Sequence, residues 1–150
     1  MTDALPSLPA TQFSAFYQQQ DKLLSARDKL AQASNWQDKY RLLMQLGKLL
    51  PAMDDAFKTA KAQVDGCESA AWLYHTEING QHFYLADSEA RIVKGLIVLI
   101  LAATNGATTA DINAFNAEAY FAQLGLAGQL SPSRSNGLYA LVQQVKLMAQ

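Results

Sequence analysis

Apolar residues recur every three or four positions along most of the chain, which is the spacing of one face of an α-helix. The first helical pattern starts near Thr11 and stops at Ser34 and Asn35, either of which can cap the helix that follows. That second helix is predicted to end by Pro51, because proline cannot continue a helix interior. The apolar faces are predicted to be Phe13, Phe16, Tyr17, Leu24 and Ala31 in the first helix, and Trp36, Tyr40, Leu43, Leu46 and Leu50 in the second.

The pattern becomes extended over residues 71–86. Two runs rich in aromatic and β-branched residues flank Asn79-Gly80, the pair that favours a two-residue hairpin turn. The cross-strand pairs that this turn predicts are Ile78 with Gln81, His75 with Tyr84, and Trp72 with Asp87. A lone hairpin is only marginally stable in water, so we expect a third strand and assign it to residues 61–65.

After the hairpin the chain returns to a helical pattern. Asp87 and Ser88 are predicted to open a helix with Glu89 in its first turn, where a carboxylate is favourable. This helix is apolar nearly all round over residues 92–101, as expected of the central helix of a core. Its predicted end and the later caps are Asn105-Gly106, Thr108 or Thr109, Asn116, Gly125 and Ser131-Pro132. The last helix carries one apolar stripe, formed by Leu138, Leu141, Val142, Val145 and Met148.

Composition bounds the class of protein. A chain of 150 residues is most simply one domain and can bury about 70% of its unfolded surface. We assign that domain to residues 11–150 and a flexible tail to residues 1–10, which carry two prolines. The net charge is −1 and the twelve Lys and Arg residues are scattered, so nothing favours a nucleic-acid or anionic-membrane partner.

The N-terminal residues have neither the basic nor the apolar region of a signal peptide. The longest strongly apolar run, residues 96–103, is shorter than the ~20 residues that a membrane span needs. One cysteine excludes an intramolecular disulfide, a CxxC redox pair and a cysteine-rich metal site. These features predict a protein of the reducing cytoplasm.

Cys67, the single cysteine, lies where the pattern changes from helical to extended. Gly66 precedes it and small residues from Ser69 onward follow it, so there is little crowding around the sulfur. A solitary cysteine can also be an inert, buried residue. The predicted loop position favours a reactive one, because functional groups concentrate on loops.

The neighbour Glu68 disfavours the thiolate, which is the nucleophilic form of cysteine. Activation of the thiol therefore requires a cation from elsewhere. The candidates are Arg91, Arg134 and a cation of a docked partner.

His75, Glu77 and His82 fall on one face of the predicted hairpin. Two histidines and one carboxylate could hold a metal ion with open coordination positions. The alternative, which we favour, is a solvated strand face on which a His–Glu pair is tolerated. We predict no metal site.

Two arginines occur in the first turns of predicted helices, namely Arg91 and Arg134. Capping accounts for the hydroxyl and acidic residues beside them, but the helix dipole disfavours a cation at this position. An arginine beside free helix N–H groups suits an anion or a partner's carboxylate. We therefore predict that Asp87, Arg91, Ser133 and Arg134 bind a partner or support the site.

Five blocks of the sequence resemble one known family. The first, residues 66–73, matches the signature GC(Q/E)xxxW(I/L). The others are Trp36-x-x-Lys39-Tyr40, Leu46-Gly47-x-x-Leu50-Pro51, Asp87-Ser88-Glu89-x-Arg91-Ile92-Val93-x-Gly95-Leu96 and Leu130-Ser131-x-Ser133-Arg134-Ser135-x-Gly137-Leu138. Taken in their order along the chain and with their spacing, the five blocks are similar to those of the SufE/CsdE family of sulfur acceptors for cysteine desulfurases. Glu68 and the block after Leu130 leave the subgroup open, with a slight preference for the CsdE-like one.

The resemblance implies an α+β fold of the SufE/NifU kind, in which helices pack against a small antiparallel sheet of about three strands. It also implies that Cys67 takes persulfide sulfur from a cysteine desulfurase of the SufS/CsdA kind, stimulates that enzyme and passes the sulfur to a downstream acceptor or cluster scaffold. Iron–sulfur cluster assembly is the expected destination. Gly66, Glu68 and Ser69 are implied to support the cysteine.

On this resemblance the chain is a carrier and activator rather than a stand-alone enzyme. The pyridoxal phosphate belongs to the partner, so the chain itself needs no cofactor. The alternative is a non-catalytic interaction domain in which Cys67 is merely packed. A metal-binding scaffold is disfavoured because one cysteine cannot supply the usual ligands.

Overall fold

The computed structural model describes residues 7–150, which fold into an α+β arrangement. The elements are α1 Ala10–Tyr17, α2 Gln20–Gln32, α3 Trp36–Gly47, a 3₁₀ turn at Asp55–Phe57, β1 Ala71–Ile78, β2 Gln81–Ser88, α4 Arg91–Thr104, α5 Thr109–Ala114, α6 Ala117–Gln123 and α7 Pro132–Met148. Most of the predicted tail, residues 1–6, lies outside the described residues. Of the remainder, Leu8 packs against the core and Ala10 already belongs to α1.

The hairpin forms in the predicted register. Strands β1 and β2 pair antiparallel, with Ile78 opposite Gln81 at the turn. Asn79 and Gly80 both have positive φ, as a type I′ turn requires. The other predicted pairs, His75 with Tyr84 and Trp72 with Asp87, are also confirmed.

The third strand does not form in the described chain, where the sheet has two strands. Residues 61–65 contribute one isolated bridge, from Gln63 to Trp72. Two backbone hydrogen bonds flank it, Val64 N–H to the Ala71 carbonyl at 2.8 Å and Leu73 N–H to the Ala62 carbonyl at 3.0 Å. The pairing stops there because Gly66 turns the chain with a φ of 90°.

Helix α4 is the centre of the core, as its apolar sequence predicts. Residues 96–101 have no exposed surface at all. On one side α4 packs against the sheet and on another against α3. A Cβ at Gly95 would overlap the Leu43 carbonyl, so this glycine allows α3 and α4 to approach closely.

The predicted start of α4 is wrong. Asp87 and Ser88 remain in β2, opposite Trp72 and Ala71, and the helix begins at Arg91. Pairing with β1 holds these two residues in extended conformation, which takes precedence over their preference for helix caps. The other predicted caps are confirmed: Asn35, Thr108, Asn116 and Ser131 each accept a first-turn N–H.

The faces of the N-terminal helices differ from the prediction. The chain breaks between α1 and α2 at Gln18 and Gln19, which rotates the second half, so that Leu23 and Leu30 are buried. In α3 the predicted core residue Tyr40 is exposed. Lys39 is buried beside it, and its ammonium group donates to the carbonyls of Leu30 at 2.9 Å, Leu124 at 3.0 Å and Ala31 at 3.3 Å. A cation at helix C-terminal carbonyls is electrostatically favourable, which explains how a lysine is tolerated there.

Candidate functional site

Cys67 lies in the loop of residues 65–70, which we call the Cys67 loop, between the Gln63 bridge and β1. Gly66 turns the chain with a left-handed φ of 90°, which glycine adopts without strain. The turn lies against α7, since a Cβ at Gly66 would be 3.2 Å from the Ala140 Cβ. The side chain of Cys67 is consequently half-buried between the loop and α7.

Helix α7 supplies the surface that the sulfur contacts. The Cys67 thiol donates to the Gly137 carbonyl, with an Sγ–O distance of 3.5 Å. A Cβ at position 137 would lie 3.6 Å from Sγ, which is an ordinary contact distance. Because Gly137 has no side chain, the sulfur faces bare helix backbone with space beside it.

That space is a small open pocket between the Cys67 loop, α4 and α7. Five of the eight predicted site residues line it: Cys67, Glu68, Ser69, Ser133 and Arg134. Gly66 adjoins them in the loop. The remaining lining residues, which the sequence did not single out as site residues, are Ala71, Val93, Gly137, Leu138 and Leu141. The pocket is therefore apolar on its α4 and α7 walls and polar at the first turn of α7.

The surroundings of Cys67 favour the neutral thiol. Burial raises the pKa of the Cys67 thiol above its ordinary value. The Gly137 carbonyl acts in the same direction, because it accepts a hydrogen bond that only the protonated sulfur can donate. Arg134 lines the same pocket and forms no ion pair with a carboxylate of the described chain. A cation thus lines the same pocket as a thiol whose surroundings favour the protonated form.

Asp87 does not line the Cys67 pocket. The residue is 4% exposed, and its carboxylate forms ion pairs with Lys94 at 3.5 Å and with Lys58 at 3.7 Å. The Lys58 ammonium also lies 5.5 Å from the ring centroid of Trp72. This cluster holds the end of β2 to its neighbours, so Asp87 is placed to support the fold beside the site. A role in partner binding stays a prediction.

Arg91 lies on a different surface from Cys67. It is exposed and lines a groove together with Lys48, Lys94 and apolar residues of α3 such as Met44. Helix α4 separates this groove from the Cys67 pocket, which Val93 lines instead. The structure therefore does not bring Arg91 to the thiol, and its predicted contact with a partner stays a prediction.

The histidines form a closed hydrogen-bond chain instead of a solvated strand face. His82 is 1% exposed; its Nδ1 lies 2.8 Å from His75 Nε2, and its Nε2 lies 2.7 Å from the Thr109 hydroxyl. Thr109 donates its single hydroxyl proton to the Ala149 carbonyl at 3.0 Å. His82 must therefore donate from Nε2, and its Nδ1 accepts from His75. The expectation of a solvated face is wrong for His82, whereas Glu77 is exposed and His75 is partly exposed.

Burial, and secondly the neighbouring His82, lower the pKa of His75 below its ordinary value. The chain of bonds ties the hairpin to α5 and to the end of α7. Within residues 7–150 no group of three or more His, Cys, Asp or Glu side chains is arranged to hold a metal ion. Over the same residues, no helix combines the length and the apolar character needed to cross a membrane.

The fold and this pocket define a class of protein: a small α+β scaffold that presents one cysteine on a loop against a helix N-terminal region. Residues 25–149 match the family model described as SufE, an Fe-S metabolism associated domain. The chain belongs to the SufE family.

Relatives of known sequence agree with this assignment. The chain is 44% identical over 120 residues to the sulfur acceptor protein CsdE of Escherichia coli K12, covering 79% of this chain and 82% of that protein. It is 38% identical over 120 residues to a SufE-like protein of Haemophilus influenzae, covering 79% and 95% of the two chains. The family resemblance of the sequence, with its preference for CsdE, is confirmed.

A solved structure shares the fold. The solution structure of a hypothetical protein from Thermus thermophilus superposes with a TM-score of 0.67 at 15% identity, covering 85% of this chain and 93% of that one. At this identity the likeness concerns the fold alone. It agrees with the predicted α+β class.

Proposed function

We propose that this chain is a sulfur acceptor, which takes persulfide sulfur from a pyridoxal-phosphate-dependent cysteine desulfurase onto Cys67. The observation that carries the proposal is the half-buried, solitary thiol in an open pocket whose polar side holds an arginine without a carboxylate partner in the described chain. Membership of the SufE family and the similarity to a protein named as a sulfur acceptor support it.

The transfer is a thiol–persulfide exchange. The Cys67 thiolate attacks the terminal sulfur of the desulfurase persulfide, forming a new S–S bond at Cys67 Sγ. The S–S bond to the desulfurase cysteine breaks, and its electron pair leaves on that cysteine as a thiolate. One proton is lost from Cys67 and one can be returned to the desulfurase thiolate, so the step needs no oxidant or reductant.

The surroundings of the thiol suit a carrier that reacts only with a docked partner. At rest the neutral thiol contacts Gly137, and its raised pKa keeps the nucleophilic form scarce. Withdrawal of the thiol from the Gly137 carbonyl, with a cation nearby, favours the thiolate. No second cysteine in this chain can resolve the persulfide internally, so the sulfur stays until an external acceptor takes it.

The test of the proposed function is stimulation of a purified SufS/CsdA-type desulfurase in the presence of cysteine. With dithiothreitol present to reduce the persulfide and release its sulfur as sulfide, wild type should raise sulfide and alanine production, and Cys67→Ser should give none of this increase. Equal stimulation by Cys67→Ser would favour the second candidate, a non-catalytic interaction domain in which the cysteine is merely packed.

Arg134→Ala tests the cation in the pocket. Loss of the guanidinium should lower the stimulation about three- to tenfold, because one charge-assisted interaction with the thiolate or the partner is lost. The melting temperature should change little, since the described Arg134 side chain forms no ion pair. Arg41→Ala, at an exposed arginine of α3 whose ion pair is with the exposed Asp38 at 3.5 Å, is the control for loss of a surface arginine. Equal stimulation by the two variants would exclude Arg134 from the site.

The proposal extends to the cellular location of the protein, the destination of the sulfur and the residues around Cys67. We place the chain in the reducing cytoplasm, where a free thiol persists. The sulfur passes from Cys67 to a downstream acceptor or scaffold, for iron–sulfur cluster assembly. Gly66, Glu68 and Ser69 shape the loop that the desulfurase meets, and Ser133 adjoins it at the first turn of α7. Arg91 would meet a partner through its separate groove between α3 and α4, and the buried Asp87 would act by holding the end of β2 in place.

A further inference from the structure

The carbonyl of Ala70, the last residue of the Cys67 loop, accepts two hydrogen bonds, one from the last residue of β2 and one from the residue that follows it. The Ser88 hydroxyl donates at 2.8 Å and the Glu89 backbone N–H donates at 3.1 Å. The Ser88 oxygen itself accepts the Ala90 N–H at 3.3 Å. Ser88 is 3% exposed, so its hydroxyl is a buried bridge from the loop to Ala90, the residue that precedes α4.

Hydrogen bonds join the Cys67 loop to other elements of the described chain at two points. One is the contact of the thiol with Gly137, which is weak because a thiol is a poor donor. The other is the pair of bonds at the Ala70 carbonyl. When the sulfur leaves Gly137, the Ala70 attachment is the hydrogen-bonded anchor that remains.

The two ends of the loop therefore differ. At its start, Gly66 has a left-handed φ and exposed backbone, so rotation there meets little resistance. At its end, Ala70 is fixed to the buried Ser88 and directly precedes β1. Movement of the thiol is thus confined to residues 66–69.

We infer that Ser88 is a positioning residue for sulfur transfer, which clamps the end of the Cys67 loop so that the thiol emerges toward a partner along one path. This inference rests on the proposed function. Ser88 does not touch the sulfur; it acts through Ala70.

Ser88→Ala removes one of the two bonds to Ala70. The fraction of time that the loop spends away from α7 should rise about three- to tenfold, as expected for one hydrogen bond. In the isolated protein, iodoacetamide should then alkylate Cys67 faster by a similar factor. The pH profile of alkylation should shift to lower pH, since a less buried sulfur has a lower pKa.

Sulfur transfer should change in the opposite direction. With a SufS/CsdA-type desulfurase and cysteine, persulfide formation on Cys67 should slow several-fold, because the thiol is no longer presented along one path. Ser88→Thr, which keeps the hydroxyl, should return both rates toward wild type. A variant that only weakened the fold would not speed alkylation of Cys67 while slowing sulfur transfer to it.

The matched control is Thr104→Val. Thr104 is also buried, and its hydroxyl donates to the Ile100 carbonyl at 3.0 Å at the opposite end of α4. This variant should lower the melting temperature by a similar amount and leave both rates at Cys67 unchanged. The inference is wrong if Ser88→Ala behaves like Thr104→Val, or if alkylation and sulfur transfer rise together.

A second measurement uses the wild-type chain and does not depend on the folding of Ser88→Ala. After Cys67 is alkylated, the sulfur can no longer donate to Gly137, yet the Glu89 amide should keep the protection from deuterium exchange that the Ala70 carbonyl gives it. Loss of Glu89 protection on alkylation would overturn the clamp. Failure of the proposed function is distinguishable from failure of the Ser88 inference, because in that case the wild-type protein itself accepts no sulfur.

Discussion

Helices α4 and α7 each carry a glycine that another segment contacts, and the two contacts differ. At Gly95 of α4, a Cβ would overlap the Leu43 carbonyl of α3. At Gly137 of α7, a Cβ would lie 3.5 Å from Cys67 Cα and 3.6 Å from its Sγ, both ordinary distances. The first glycine is required by packing, whereas the second is not.

This difference distinguishes the tightly packed contact between α3 and α4 from the open pocket beside Cys67. Between α3 and α4 the backbones are in contact and no space remains. Beside Cys67, the missing side chain leaves a pocket next to the sulfur. A helix-interior glycine costs about 1 kcal/mol relative to alanine, so an unforced one at the thiol indicates a functional reason for the space.

The largest expected effect is that of Gly95→Ala. The added methyl must push α3 away from α4 at the centre of the core, which should destabilise the fold by about 3 kcal/mol or more. The denaturant midpoint of the purified variant measures this, with the slope confirming a cooperative transition. A loss below ~1 kcal/mol would mean that the two helices can separate freely and that the contrast with Gly137 is wrong.

Gly137→Ala should leave stability nearly unchanged and should impair sulfur acceptance. Its free energy of unfolding should stay the same or rise by up to about 1 kcal/mol, because alanine is the better helix former and the methyl fits. Sulfur acceptance should nevertheless slow several-fold, since the methyl packs against Sγ and stabilises its contact with α7. Denaturant unfolding and the rate of persulfide formation test the two halves. Unimpaired acceptance would show that the space beside the sulfur is not used.

The smallest expected effect concerns the histidine chain, in which the buried His82 has a hydrogen-bond partner at each ring nitrogen and the partly exposed His75 is one of them. The pKa of His75 is lowered from 6.5 in the folded state, so the unfolded chain binds the proton more tightly. His75 therefore stabilises the fold less as the pH falls below about 6.5, with the loss ending at the lower folded pKa. Its contribution is constant above that range.

Denaturant midpoints between about pH 7.5 and about pH 5.5 measure this dependence, with His75→Gln as the comparison. Wild type should lose stability on acidification over this range, and the variant should show a shallower slope. Parallel curves for the two proteins would mean that His75 titrates alike in the folded and unfolded states.

Local signals predicted much of this fold from the sequence. Asn79-Gly80 fixed the hairpin register because a two-residue turn allows one alignment of the strands. Asn35, Asn116 and Ser131 cap helices as predicted, since each cap needs only the residues that follow it. The motif around Cys67 likewise indicated the loop and the family.

The misses arose where distant segments decide the outcome. Asp87 and Ser88 have cap-forming side chains, yet pairing with β1 keeps them extended. Lys39 is buried because carbonyls from α2 and the end of α6 meet at its ammonium group, which no local pattern reveals. The walls of the pocket come from α4 and α7, and the sequence pattern showed Leu138 and Leu141 as members of an apolar stripe without placing them beside Cys67.

The most direct test of the account is the mass of the intact protein after incubation with a SufS/CsdA-type desulfurase and cysteine. Wild type should gain about 32 Da, the mass of one sulfur atom, and dithiothreitol should remove it. Cys67→Ser should gain nothing under the same conditions. An unmodified wild type, or an equal gain in Cys67→Ser, would contradict the assignment of Cys67 as the sulfur-accepting residue.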